Sequence, residues 1–430
     1  MTSANTYDVI VLGGGPAGLA SALHLGRSGV SVLVIEKNRI TQTEKTWLSF
    51  PDILEKYDLA AAIRNRFSSI EFSCYFGARY AFKNNSFITA VDEEALLQLL
   101  AEGARAGGAD IHAREAFINY APHSDGVTVT STGGTYACRL VVDAMGRGSR
   151  IMQGLGLRNE TIDMGCLAFF LRDVRHDNDN CLLLYDAFMP GRDYFWLVPL
   201  GKDCVMAGMF FFDTLSRHNL PEKREKLKLY IEARRLGGTV YATRQGNIPL
   251  GSQAVLSAGR VLFIGDSANT ALPSSGFSLN RCLEDAELLS GFVCRYLKDE
   301  VPLSQFKREM LAPRIPGIEA HLIISDMLSH FTDPMLNRAI EAMHSLSEDF
   351  LISFLSGRDM GVHFTVTALR AIMETFSLHE ISSLSLKQHH LKNLANLYNL
   401  LPAISPGKLG EHLKEFVMTL VKKDYQAPPS

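Results

Sequence analysis

The chain carries no Cys-x-x-Cys pair, no apolar run of membrane-spanning length, no second glycine-rich nucleotide fingerprint and almost no net charge. Its seven cysteines (Cys74, Cys138, Cys166, Cys181, Cys204, Cys282, Cys294) are scattered over 430 residues, so neither a disulfide framework nor a zinc site is expected. The pair His389-His390 has no partner at ligand spacing, and no metal is expected. The longest apolar stretch, Cys204 to Phe212, falls far short of the roughly 18 to 20 residues of a spanning helix. A net charge of −3 leaves nucleic acid without an electrostatic footprint. Internal repeats and low-complexity segments are absent, and only Gln426 to Ser430 reads as a frayed tail. The first strand starts within a few residues of Met1, which leaves no room for a signal peptide, so a reduced, cytoplasmic setting is expected. Apolar residues at 47% and charged residues at 21% are the balance of a globular protein.

What is present begins at Asp8. Asp8 to Leu12 reads as a buried strand, Gly13-Gly14-Gly15 as a turn, and Pro16-Ala17-Gly18 as the start of a helix that runs to Ser28. Gly13 makes the tight turn, Gly15 lets the backbone approach a pyrophosphate, and Gly18 lets helix pack on strand. Glu36, followed by Lys37, closes a second strand 23 positions after Gly13, where a carboxylate binds a ribose. The pyrophosphate is expected on the helix N-terminus, whose free N–H groups favour an anion.

Two further segments fit the same site. Val141 to Arg150 is a strand that ends in Asp143 and turns at Gly146. Gly265 to Asn280 opens with Gly265-Asp266, passes through Pro273 to Gly276, and leads by Phe277 and Ser278 into a helix. Asp266 suits a ribityl hydroxyl, and the dipole of that helix would stabilise a reduced, anionic flavin. In this order and spacing the three segments resemble those that bind FAD in glutathione-reductase-like flavoproteins of the hydroxylase type. The fold class implied is α/β: an FAD-binding Rossmann domain, an inserted antiparallel β-sheet as substrate domain, and a helical C-terminal region. Expected boundaries are 1–160 for the first part of the FAD domain, with small strands over 109–143, then 161–255 for the inserted sheet, 256–300 for the return, and 301–430 for the helices. Without a second fingerprint, NAD(P)H visits the flavin transiently, another protein supplies the electrons, or reductant only keeps the flavin reduced.

Within that group the chain resembles the lycopene cyclase family over most of its length. Thr46-Trp47-Leu48-Ser49-Phe50, Gly276-Phe277-Ser278 and the tail Met343 to Asp359 carry the likeness. The resemblance implies an FAD-dependent enzyme acting on a hydrophobic isoprenoid or polyene, as in carotenoid biosynthesis. Cyclases of this family carry two adjacent carboxylates that protonate the polyene. Counted without a gap from Pro199, those positions here are Gly208 and Met209; a four-residue shift supplies Asp213 beside Phe212. Asp213 is therefore the candidate acid, Asp186 a second choice, and Trp196 and Trp47 the candidate cavity aromatics. Redox enzymes of the same fold stay open as alternatives: an isoprenoid reductase, a monooxygenase, or a halogenase, for which Lys45 is the one lysine near Trp47. So does a flavin- and lipid-binding protein without catalysis. An apolar stripe over Leu409, Leu413, Phe416, Val417, Leu420 and Val421 suits either docking on the protein's own core or peripheral contact with a membrane.

Overall fold

The computed structural model describes residues 5–380 except 42–45, 84–86, 158–160, 176–179, 252, 254, 312–314, 359–361 and 378–379. The stripe over 409–421, the pair His389-His390 and Lys45 lie outside the described residues.

Val9 to Leu12 are fully buried, because helices cover both faces of the sheet they run through, as in parallel sheets generally. Strand Asn5–Leu12 pairs in parallel with Val32–Glu36 on one side and Thr135–Asp143 on the other. Asp110–Ala113 extends the sheet beyond Val32–Glu36, and Val261–Phe263 extends it beyond Thr135–Asp143. The hairpin strands Phe117–Pro122 and Val127–Ser131 are antiparallel additions. Helices Pro16–Arg27, Glu93–Ala106 and Leu279–Leu297 pack around the sheet. The second starts at Glu93 because Asp92 caps it, Oδ1 accepting from the Ala95 N–H at 3.0 Å.

A second sheet of seven described strands runs in the order Thr239–Gly251, Thr161–Arg172, Cys204–Phe211, Asp193–Pro199, Cys181–Ala187, Ser69–Cys74, Arg79–Lys83. The last two come from inside the segment 1–160, which the sequence reading gave wholly to the FAD domain. Their alternation explains the transfer. Ile70, Phe72, Tyr80 and Phe82 form an apolar face, with Phe72 stacked on Phe82 at 6.5 Å, and it must be covered.

The two faces of this sheet serve different cores. Phe169, Phe195, Ala207, Met209 and Phe211 meet Leu227 and Tyr230 of helix Leu220–Ala233. Ala168, Phe170, Tyr194, Val198 and Met206 join the main core. Over that second face lie helices Ile315–His330, Asp333–Ala342, Glu348–Ser356 and Val362–Thr375. Pro334 sits in the first turn of one of them, where its missing N–H costs nothing.

A Cβ at Gly18 would stand 2.0 Å from the Gly13 carbonyl oxygen. Gly18→Val is therefore expected to lower the melting temperature by the equivalent of about 1–3 kcal/mol or more, with loss of bound flavin, as read by thermal unfolding and flavin absorbance.

Candidate flavin and substrate site

The nucleotide end is shaped by close backbone approaches. Gly13 has φ +111°, and a Cβ there would lie 2.4 Å from the Ala144 carbonyl oxygen, whereas one at Gly15 would meet nothing within 4 Å. That open space stands over the N-terminus of helix Pro16–Arg27, where a pyrophosphate fits. Ala17 packs against the Gly265 backbone, so the first and third segments abut. Glu36 accepts from the Gly14 N–H at 2.7 Å and from the Asn38 N–H at 2.8 Å, and each oxygen keeps a lone pair for a ribose hydroxyl. Lys37 is exposed beside it.

Asp143 is used differently from the expectation that it touches the cofactor. It is fully buried and accepts from the Met145 N–H (3.0 Å) and from the hydroxyls of Ser149 and Ser267 (3.0 Å). Burial raises its pKa against the pull of those donors. It braces the second segment, with Gly146, against the third. Asp266 is exposed at the strand end, open to a ligand hydroxyl. Pro273 and Phe277 are buried, the latter against Phe50 at 5.4 Å. Ser278 precedes helix Leu279–Leu297 without capping it by its side chain, so the helix keeps its N-terminal N–H groups for an anion. The three segments come together as one candidate FAD site.

Beside the loop Pro273 to Gly276 lies a cavity of about 230 Å³. The sheet contributes Phe72, Met164, Leu184, Tyr185 and Phe210; the loop contributes Ser274 and Ser275; the C-terminal helices close it with Met327, Phe331, Leu336, Ile340, Phe350, Phe354 and Ile372, among others. Every described lining side chain is apolar except those of Tyr185, Ser274, Ser275 and Thr375. Burial pushes the Tyr185 phenol well above its usual 10, so it keeps its proton. Behind Ser274 stands His321, fully buried, its Nδ1 2.5 Å from Ser274 Oγ. Burial and the Arg281 charge press its pKa from 6.5 to about 3, so the ring is neutral.

A family model described as lycopene cyclase protein matches residues 8–376. The chain belongs to the lycopene cyclase family. Rifampicin monooxygenase of Streptomyces venezuelae is 26% identical over 309 residues, 65% of this chain and 62% of that protein. A digeranylgeranylglycerophospholipid reductase of Methanocella arvoryzae is 21% identical over 376 residues, 79% of this chain and 92% of that protein. A solved geranylgeranyl bacteriochlorophyll reductase-like protein of Thermoplasma acidophilum superposes with a TM-score of 0.73 at 17% identity, over 91% of this chain and 99% of that one. This family member is an FAD-dependent enzyme with the fold of flavin reductases and hydroxylases.

In this family member the positions of the cyclase acids are split between two cores. Met209 faces helix Leu220–Ala233. Gly208 faces the other way, and the Trp196 ring covers it so closely that a Cβ would stand 2.2 Å from Cζ2. Trp196 stacks on Phe210 at 6.0 Å, one layer behind the cavity wall. Asp213, the expected acid, is an exposed turn residue whose Oδ1 accepts from the Thr214 N–H at 2.7 Å, and it is not among the cavity residues. The register of Gly165 opposite Phe211 carries the strand past the cavity before Asp213 is reached. Asp186 is buried but held by Arg234 and by the Ser73 hydroxyl (2.9 Å). Trp47, the other candidate cavity aromatic, pairs with Val91 in strand Thr46–Ser49 and packs on the core away from the cavity. Sequence reasoning missed Tyr185, Ser275 and His321. The loop position of Ser274 and Ser275 was visible, but nothing in the chain marks His321 as the neighbour of Ser274.

In the unfolded chain a histidine charges below about pH 6.5; folded, His321 charges only near 3. Its contribution to stability is complete above 6.5 and falls as pH drops towards 3. Denaturant titrations over that range are expected to show a steeper acid loss for the natural chain than for His321→Phe.

Proposed function

We propose that the enzyme takes one end of a hydrophobic isoprenoid or polyene into the cavity and reduces a carbon–carbon double bond at the flavin loop. The observation that carries this reading is the cavity itself: it is apolar, it ends on Ser274 and Ser275, and no described lining residue is a carboxylic acid. Acid-driven cyclisation needs a carboxyl group held protonated in a dry site. Reduced FAD, when bound, would supply the hydride. The aliphatic and aromatic walls orient the chain and exclude water, and the hydroxyls of Tyr185, Ser274, Ser275 and Thr375 are the protic groups on the described wall. The similarity to a digeranylgeranylglycerophospholipid reductase supports the same reading. NAD(P)H or a partner protein brings the electrons. The family match supports a second reading, redox-neutral cyclisation of a polyene such as lycopene in carotenoid biosynthesis.

Product mass separates the two. Anaerobically reduced, FAD-loaded protein is given geranylgeranyl lipid and lycopene in vesicles. A gain of hydrogen is expected; an unchanged mass in a new product would replace reduction by cyclisation, and no product from either would overturn both. Ala339→Trp fills the cavity wall and is expected to lower turnover roughly tenfold or more, the equivalent of about 1.4 kcal/mol or more, with FAD retained.

Delivery from a lipid surface completes the proposal. No described helix is long and apolar enough to cross a membrane. Tyr75 and Phe76, 56% and 57% exposed, form the hairpin tip beside helix Asp333–Ala342, whose Asn337 Oδ1 accepts from the Ala78 N–H at 3.0 Å. Aromatic side chains suit the membrane interface. Flotation with anionic vesicles is expected to carry the natural chain upward and to leave the double variant Tyr75→Ser, Phe76→Ser behind.

A further inference from the structure

We propose that His321 is a positioning residue for the flavin-facing loop, holding Ser274 in place and passing the packing of the cavity wall on to the flavin. The inference rests on the FAD site alone and is independent of which substrate fills the cavity. Two contacts of one buried ring carry it. At its edge, Nδ1 meets Ser274 Oγ at 2.5 Å. On its face it lies flat against Phe354, with centroids 5.1 Å apart and planes 14° apart. Both Ser274 and Phe354 line the cavity, and they sit on elements that share no covalent proximity. The ring therefore touches the loop with one surface and the wall with another.

The helix bearing Phe354 is tied to the flavin segment a second time. Asn280 Nδ2 donates to the Ser356 carbonyl at 2.6 Å, and that helix ends at Ser356. A third contact adds stiffness: a Cβ at Gly357 would stand 2.8 Å from both methyl groups of Leu272, just ahead of the loop. Close-packed interiors transmit displacement rather than absorb it. Any change in how Phe354 packs when the cavity is filled is thus delivered to Ser274 through a rigid aromatic ring. Because the imidazole is neutral, it acts through hydrogen bonding and shape, adding no ion beside the cofactor.

The test uses the FAD-loaded full chain and four variants: Ser274→Ala, His321→Phe, the double variant, and His321→Asn. Phenylalanine keeps the stacked ring and removes the nitrogen; asparagine restores a polar group near the place of Nδ1. The readouts are the midpoint potential of bound FAD and its long-wavelength absorption band, with and without detergent-dispersed squalene as an apolar filler. Ser274→Ala and His321→Phe are expected to shift the potential in the same direction. The double variant is expected to add nothing further, since the two groups act through one bond, and His321→Asn to recover part of the shift. Squalene is expected to perturb the band in the natural chain but not in His321→Phe. An unchanged potential in His321→Phe, or a double variant whose shift is the sum of the two, overturns positioning. A band unmoved by squalene in the natural chain overturns transmission, and a natural chain that retains no FAD overturns the flavin site itself. Should His321→Phe fail to fold, Ser274→Ala and His321→Asn carry the same comparison.

Discussion

The buried carboxylate of Asp143 is the constraint on which the site depends. It lies at the end of the strand next to the fingerprint strand, where the Ala144 N–H donates to the Leu12 carbonyl and the Ile264 N–H to the Asp143 carbonyl, at 2.9 and 3.0 Å. Three adjacent strand ends are thereby held level. A carboxyl group shut away from water is tolerable only when hydrogen-bonded. The donors come from both sides of the site, Met145 and Ser149 from one segment and Ser267 from the other. The cost of burying one carboxyl group thus ties the turn at Gly146 to the segment that opens with Gly265.

The cavity follows from a different rule, the alternation of side chains along strands. Strands Asp193–Pro199 and Cys204–Phe211 send odd-numbered residues to one core and even-numbered ones to the other. This places Phe210 and Tyr194 towards the flavin side and leaves Met209 facing a helix. A pair of adjacent acids on such a strand cannot both face one cavity without a bulge, and here the position on the cavity side is a glycine sealed by Trp196. The chain keeps the family's architecture, while the described residues of the cavity wall present hydroxyls and hydrocarbon rather than carboxylates.

The FAD fingerprint, the turn at Gly146 and the strand ending in Gly265-Asp266 were legible in the sequence, because each depends on residues close together in the chain. Backbone approach, capping and strand burial are local matters, and glycine, aspartate and apolar runs declare them. Residues 69–83 were misassigned because a strand's alternation shows that it has a face to bury but not which sheet will take it. Asp213 drew attention through a four-residue shift of the family's acid pair and Trp47 through a family-like stretch; strand register and sheet pairing took both away from the cavity. His321 and Ser274, 47 residues apart, meet only because a C-terminal helix folds back over the flavin loop. The sequence by itself determined the cofactor, since FAD is held by backbone shapes that short motifs encode. Which side chains surround the cavity was decided by tertiary structure alone, because that cavity is enclosed by elements drawn from across the chain.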